Sequence, residues 1–303
     1  MRLLIGFVNS DVSLIVYDWT KRQIEWVLPS SEFRSCGLCC WNDEFVAASD
    51  DRILRFTAGG RQEILLPGPH ASMAHSVHPV NKDVLGVIDT GNSELRLFDR
   101  NGSMIDAISP FSAWGKLPAD AVHLNDFAVT HQGIVGSCFD HRPWRAAQTG
   151  MTWQEWCQGG FGLLLNLDGH PPHGRGAVLA CGVNHPHSLI MHEKRLYHCS
   201  SATGDFHCWG FDAKNRLYRV NEWKVSDRHF LRGALHADGH WYLGGSTSRH
   251  GERLAHHSAL FRLHEESGNV EEQELPVSGE IYEVLDWREN IAPPECFRHA
   301  PLT

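Results

Sequence analysis

Six polar residues recur at one position of a strand pattern that repeats along the chain. Five of them stand nine residues before an apolar pair in a second strand, as His187 stands before Leu196-Tyr197. The six residues are Cys36, His75, Asn125, His187, Arg232 and Glu283. Imidazole and carboxylate groups together suit Zn, Fe or Mn, whereas an all-oxygen set would favour Ca or Mg. We therefore expect a metal site if the fold brings these positions together.

The elements that carry these residues read as short strands. Apolar runs bounded by Gly, Asn, Asp and Ser dominate the chain, and only residues 151–158 resemble a helical turn. The six positions follow one another at intervals of 39, 50, 62, 45 and 51 residues. Regular short strands with a repeat of about 40 to 50 residues are typical of a propeller. The sequence predicts an all-β, six-bladed β-propeller, with residues 1–303 as a single domain.

The two ends of the chain are expected to complete one blade together. EIYEVLDWREN, which contains Glu283, reads as an inner strand whose partner strands are missing after it. The N-terminal runs LLIGFVN, SLIVYDW and QIEWVLP are three strands with no inner strand before them. Joining them gives the sixth blade and leaves few sheet edges exposed.

Inner strands of a propeller begin near its axis, so the six positions should surround one axial pocket. The expected ligands of one divalent metal ion are His75, Asn125, His187 and Glu283. Arg232 is expected to bind a substrate carboxylate or to stabilise developing negative charge. Cys36 is open to three roles: ligand, nucleophile or spectator thiol. His123 and His185, two residues before their repeat positions, are expected as acid–base groups or further ligands, or as loop histidines bonded to backbone.

Two long loops are predicted between the second and third strands of their blades. Residues 140–160 contain Trp144, Trp153 and Trp156, and residues 246–258 contain His256. Long loops in compact folds are often functional, so we expect the first to form a lid with an apolar wall for the substrate. The alternative is that its tryptophans seal the insertion onto the blade.

The segment HLNDFAVTHQGIVGS resembles an inner-strand motif of the regucalcin/gluconolactonase family, R-x-N-D/N-G followed by D-x-x-G-x-x-W/F. That family consists of six-bladed propellers that act as metal-dependent lactonases and esterases. The resemblance implies that Asn125 is the central asparagine ligand and that Glu283, three blades away, is the glutamate ligand. His187 then stands where the family has its aspartate, and His75 where it has a substrate-side asparagine. This departure predicts chemistry that differs from the family's own route of hydrolysis.

Composition narrows the class of protein. The chain has 27 Lys and Arg against 36 Asp and Glu, a net charge of −9, and no cluster of basic residues. Nucleic acid and anionic membranes are therefore not expected as partners. The nine cysteines lie partly in apolar runs, as reduced thiols of a cytoplasmic protein do. The apolar run at the N-terminus is too short for a signal peptide or a membrane span.

Three functions remain open from the sequence. The first is a metal-dependent enzyme acting on a small polar, carboxylated molecule by lactone or ester hydrolysis or related acid–base chemistry. The second is a redox enzyme in which His75, His187 and Glu283 hold Fe(II) near Cys36. The third is a propeller that binds another protein and has no catalytic site.

Overall fold

The structure is a computed structural model. It describes residues 1–31, 33–42, 44–57, 60–66, 68, 72–114, 117–140, 155, 159–169, 173–247 and 256–287. Most of the loop 140–160, including Trp144, Trp153 and Trp156, lies outside the described residues, as does most of the loop 246–258.

The described residues form six antiparallel sheets of four strands each, which confirms the predicted all-β six-bladed propeller. The chain begins with β1 (Arg2–Val8), β2 (Val12–Asp18) and β3 (Gln23–Pro29). Blade one contains β4 (Gly37–Trp41), β5 (Glu44–Ser49), β6 (Arg52–Thr57) and β7 (Gly60–Leu65). Blade two contains β8 (Ala74–Pro79), β9 (Val84–Asp89), β10 (Glu94–Asp99) and β11 (Met104–Ile108), followed by a 3-10 turn, Ser112–Trp114.

The remaining blades follow in chain order. Blade three contains β12 (Leu124–Thr130), β13 (Gly133–Cys138), β14 (Gly162–Asn166) and β15 (Val178–Val183). Blade four contains β16 (Pro186–His192), β17 (Arg195–Ser200), β18 (Asp205–Phe211) and β19 (Leu217–Lys224). Blade five contains β20 (Phe230–Ala237), β21 (His240–Ser246), β22 (Ala259–Leu263) and β23 (Val270–Glu274). The last strand, β24 (Glu280–Asp286), pairs with β1 to give blade six in the order β24-β1-β2-β3.

Apolar side chains between neighbouring blades hold the ring together. Each inner strand contacts the next around the ring, and β24 contacts both β20 and β4. Between blades five and six, for example, Ile5, Tyr242 and Ile281 belong to one buried cluster. Burying one such side chain stabilises the fold by about 1.5–3 kcal/mol. In the part of the chain that is described, no helix is long and apolar enough to cross a membrane.

Five of the six inner strands contain a register shift near the start of the strand or in its first half. In four of these strands the shift leaves one residue without a pairing partner: His75 in β8, Asn125 in β12, Gly233 in β20 and Tyr282 in β24. In β16 the shift falls between His187 and Ile190. In β4 the pairing is continuous from Gly37 to Trp41. A β-bulge bends its strand and changes the direction of a side chain, so these bulges govern which residues face the axis.

Candidate axial pocket

Four blades line a small cavity on the axis with two consecutive residues each. The lining residues are His75 and Ser76, Asn125 and Asp126, His187 and Ser188, and Tyr282 and Glu283. The cavity volume is about 10 Å³, which is room for about one water molecule or one metal ion. Consecutive residues of a regular strand point to opposite faces, and the bulges remove this alternation, so both can face the axis. We call the first residue of each pair the upper tier and the second the lower tier.

This arrangement separates Glu283 from the other expected ligands. His75, Asn125 and Tyr282 are the unpaired bulge residues of their strands, whereas Glu283 follows the bulge and pairs with Gly6. Glu283 therefore lies in the lower tier, and Tyr282 occupies the upper-tier position of blade six. The sequence spacing selected Glu283 for the position that Tyr282 occupies in the structure. The spacing is one residue off because the partner strand of β24 lies at the other end of the chain, so no second strand follows to fix the register.

His187 is buried, and its hydrogen bonds assign its tautomer. The Ser201 Oγ donates its one hydrogen to the Leu231 carbonyl oxygen at 2.6 Å, so it accepts from His187 Nδ1, also at 2.6 Å. The His185 carbonyl oxygen is a second acceptor, 3.1 Å from the same nitrogen. Nε2 consequently carries a lone pair, and it is buried with no hydrogen-bond partner among the described residues.

The charge state of His187 is consistent with that lone pair. Burial holds the pKa of its imidazole well below the usual value, and the nearby positive charge of Arg232 lowers it further. A neutral imidazole is the form that ligates a metal or accepts a proton.

Asn125 presents a second unsatisfied acceptor to the cavity. Its Nδ2 donates to the Pro186 carbonyl oxygen at 2.6 Å, which fixes the orientation of the amide. The Oδ1 of this fully buried residue has no partner among the described residues, and neither has the Ser76 Oγ in the lower tier. Buried polar groups are normally hydrogen-bonded, so these atoms indicate a place for a cation or a donor that the protein itself does not supply.

Aromatic rings form the rest of the upper tier. The ring centre of His75 lies 5.9 Å from that of His187 and 5.1 Å from that of Tyr282. The Arg232 guanidinium lies over the Tyr282 ring, 4.6 Å from its centre. Its Nη1 donates to the Glu280 Oε2 at 2.7 Å in a buried pair. The charge of Arg232 is thus already balanced, although its Nε has no partner among the described residues.

His123 and His185 lie beside this tier in equivalent conformations. Both have positive φ, 50° and 46°, in the left-handed region that histidine adopts more readily than most residues. The two rings sandwich Phe139, with centres 4.3 Å and 4.0 Å from it. The Nδ1 of His123 lies 2.8 Å from the Asp120 Oδ1, so a carboxylate orients this half-buried imidazole.

Two residues of the lower tier, Asp126 and Glu283, are buried ionisable side chains, and the partly buried His78 lies beside them. The His78 Nε2 lies 2.9 Å from the Asp126 Oδ1, and the Leu189 backbone N–H donates to the Asp126 Oδ2 at 2.8 Å. Burial lowers the pKa of His78, but the charge and the hydrogen bond of Asp126 together with the charge of Glu283 outweigh burial, so the net shift is upward. Burial raises the pKa of Glu283 to about 8, against the opposing charge of His78.

The expected ligand set is only partly brought together. Within the described part of the chain, the one group of three His, Cys, Asp or Glu ligand atoms lying within 4.8 Å of one another is Asp205, His207 and Glu222, away from the axis. His75, His187 and Glu283 line the same cavity but do not form such a group. Cys36 is buried and does not line the cavity. His256 is exposed.

Several residues of the site were not singled out by sequence pattern. They are Ser76, His78, Asp120, Asp126, Ser188, Ser201, Glu280 and Tyr282. Strand alternation assigns the residue after each repeat position to the opposite face of the sheet. For this reason the sequence pattern did not place Asp126 and Ser188 in the pocket. The pair of adjacent polar residues Asn125-Asp126 in an apolar strand was the available signal.

Comparisons with known proteins show the fold. No protein-family model and no curated protein matches the chain. A protein of unknown function from Bacteroides caccae has a TM-score of 0.60 and 11% identity, covering 93% of this chain and 97% of that chain. A nidogen/laminin complex has a TM-score of 0.59 and 10% identity, covering 93% and 97%. A candidate 6-phosphogluconolactonase from Bacteroides uniformis has a TM-score of 0.53 and 11% identity, covering 93% and 84%.

Proposed function

We propose that the chain is a metal-dependent enzyme that acts on a small polar, carboxylated molecule in the axial pocket. The reaction is lactone or ester hydrolysis, or related acid–base chemistry. The observation that carries the proposal is the pair of unsatisfied buried acceptors, His187 Nε2 and Asn125 Oδ1, lining one cavity. The likeness to a candidate lactonase agrees with an enzymatic propeller.

The donor set fits a divalent transition ion. An imidazole nitrogen and an amide oxygen stand in the upper tier, with the Glu283 carboxyl below them. A nearby cation would favour the charged form of Glu283 and so offset the effect of its burial. Fe, Zn or Mn suits this mixture of nitrogen and oxygen better than Ca. His75 completes the proposed ligands. A bound ion would polarise a carbonyl group or lower the pKa of a water molecule.

His123 is the proposed proton-transfer group. Its Nδ1–H donates to the Asp120 carboxylate, which leaves Nε2 to accept a proton. Its side chain is 15% exposed, and its ring centre lies 5.3 Å from that of His75. A small substrate held against the upper tier would therefore come within reach of this base.

The substrate carboxylate is assigned to the Nε–H of Arg232, which has no hydrogen-bond partner in the described part of the chain. Because Glu280 already balances the guanidinium charge, Arg232 contributes a directed hydrogen bond more than a net charge. His185 lies beside the same tier and is proposed to contact the substrate. The loop tryptophans Trp144, Trp153 and Trp156 keep their proposed role as an apolar wall, and His256 is proposed to contact the substrate.

The redox alternative needs His75, His187 and Glu283 as a compact facial triad. Their ligand atoms do not all lie within 4.8 Å of one another, and Glu283 lies one tier below the histidines. Cys36 does not line the cavity where a thiol substrate would bind. The spacing of the ligand atoms bears equally on both metal sites, whereas the position of Cys36 favours the acid–base reaction, which needs no thiol at the cavity.

The test is a hydrolysis assay with a panel of lactones and aryl esters, some carrying a carboxylate. We expect turnover that is lost on chelation and restored by Zn²⁺, Mn²⁺ or Fe²⁺. His123→Gln should lower kcat by about 10²–10⁴-fold and leave metal content unchanged. The matched control is His131→Gln, an exposed histidine at the far end of β12's hairpin, which should keep full activity.

Two outcomes would contradict the proposal. One is a metal-loaded protein that hydrolyses no member of the panel. The other is full activity in His123→Gln, which would remove the proposed base.

A further inference from the structure

A second group of metal-ligating side chains lies in blade four, away from the axis. Asp205 and His207 are two residues apart on β18, so they project from the same face of the sheet. Glu222 on β19 is the direct register partner of His207. The ligand atoms of the three residues all lie within 4.8 Å of one another.

The spacing is close to that of a bound ion. In a tetrahedral site with bonds of about 2.1 Å, neighbouring ligand atoms lie about 3.4 Å apart. The His207 Nε2 and the Glu222 Oε2 are already 3.9 Å apart. Glu222 is exposed, so its side chain has room to move closer to the other two ligands.

An unsatisfied buried imidazole points to a ligand at this place. His207 is 5% exposed, and neither of its ring nitrogens has a hydrogen-bond partner among the described residues. His198, its register partner on β17, is fully buried, with its ring centre 4.8 Å away and an Nε2 that likewise has no partner there. Buried polar groups are rarely left without a hydrogen-bond partner. Two neighbouring imidazoles in this state indicate a ligand that binds beside them.

Two basic side chains currently balance the carboxylates. The Arg219 Nη1 donates to the Glu222 Oε2 at 2.5 Å, and the Lys224 Nζ lies 3.5 Å from the Asp205 Oδ1. Both basic side chains are about half exposed, at 45% and 50%. They can turn into solvent when an ion replaces them.

We propose that Asp205, His207 and Glu222 form a second divalent-metal site, which takes an ion of the zinc class on the face of blade four. One imidazole nitrogen and two carboxylates leave a position for water or an external ligand, as zinc permits. An ion here would also tie β19, the outermost strand of the blade, to its neighbour β18.

The test is titration of the full chain with Zn²⁺, followed by calorimetry. Glu222→Gln and His207→Gln should each weaken one binding event by about tenfold or more. The matched control is Asp227→Asn, which removes a neighbouring exposed carboxylate that also pairs with Lys224. This variant should bind Zn²⁺ as the wild type does. His187→Gln removes an axial ligand and should leave this event unchanged, so the two sites are tested separately.

Glu222 is exposed, so its variant tests the proposal even if His207→Gln fails to fold. Equal Zn²⁺ affinity in Glu222→Gln and the wild type would overturn the proposal. An equal loss in Asp227→Asn would also overturn it, because general electrostatic attraction would then explain the binding. Absence of any such event in the wild type would do the same.

Discussion

At the scale of single residues, the Ser201 hydroxyl is the nearer of two acceptors that fix the tautomer of His187. The Ser201 Oγ bonds both the Leu231 carbonyl oxygen and the His187 Nδ1, each at 2.6 Å. This relay places the hydrogen on Nδ1 and the lone pair on Nε2. Partners of this kind fix the ring orientation of a metal-binding histidine and raise its ligand basicity.

Ser201→Ala should therefore weaken binding at the axis. We expect a loss of about 10–100-fold in axial metal affinity and about 1–3 kcal/mol in the free energy of unfolding. Ser200→Ala is the matched control, since Ser200 is equally buried and bonds the Asn184 carbonyl oxygen instead. It should cost similar stability and leave metal affinity unchanged. Calorimetry and urea denaturation measure both quantities, and equal metal affinity in the two variants would contradict the relay.

Glu283 gives the metal-free protein an unusual dependence on pH. Burial raises the pKa of its carboxyl to about 8, whereas the ordinary value is 4.5. Between these values the unfolded chain has released the proton and the folded chain retains it, so stability falls as pH rises from about 5 to 8. The pKa of His78 is also raised, so this residue likewise makes stability fall as pH rises, in the upper part of the same pH range.

Glu283→Gln should flatten this dependence. We expect the variant to recover stability on the order of a few kcal/mol at pH 8 relative to the wild type, with little difference near pH 5. Urea denaturation in chelator across this range measures it. The exposed Glu222→Gln serves as control and should keep the wild-type slope. A wild-type slope in Glu283→Gln would show that the buried carboxyl is not its source.

The sequence predicted the upper tier better than the lower one. The repeat located His75, Asn125 and His187 because the apolar pair of each second strand fixes their register. It could not locate Asp126, since strand alternation assigns that residue to the opposite face. Nor could it find the partnership of His123 with Asp120, which depends on the path of a loop.

At the scale of elements, β-bulges build the pocket. The bulge in β20 falls at Gly233, whose φ is 69° and whose N–H donates to the Ser188 Oγ at 2.7 Å. A Cβ at this position would meet the Glu283 carbonyl carbon and the Val284 nitrogen at 3.0 Å. This close approach of β20 to β24 sets the position of Glu283.

Gly233→Ala should therefore lower the free energy of unfolding by more than the backbone strain of a positive φ accounts for. Gly239→Ala is the matched control, because Gly239 has nearly the same φ of 71° with no atom within 4 Å of the added Cβ. We expect a loss of about 1–2 kcal/mol in the control. The loss in Gly233→Ala should be larger, with weaker axial metal binding, and denaturation and calorimetry measure both. Equal losses would mean that the contact with β24 contributes nothing.

At the scale of the whole molecule, the ring is closed by the two ends of the chain. The six-blade repeat and this closure were predictable, because alternating apolar strands at a regular interval leave three strands at one end and one at the other. The lid over the pocket remains a prediction, since residues 141–154 lie outside the described residues. So does the expectation that all 303 residues form one domain.

Closure by β1 should stabilise the site as well as the fold. Ile5 is fully buried and pairs with Val284 on β24. We expect Ile5→Ala to lower the free energy of unfolding by about 2–5 kcal/mol and to speed hydrogen exchange in β24. Leu95→Ala, fully buried in blade two, should cost similar stability without this local effect. Mass spectrometry of exchange distinguishes them, and equal exchange in β24 would contradict the closure argument.

The most direct test of the axial site is an anomalous-difference map from crystals grown with Zn²⁺ or Mn²⁺. The account predicts a peak on the axis within about 2.2 Å of the His187 Nε2 and close to the Asn125 Oδ1. The peak should vanish in crystals of His187→Gln. A map that shows ordered metal elsewhere and none between these two atoms would contradict the account.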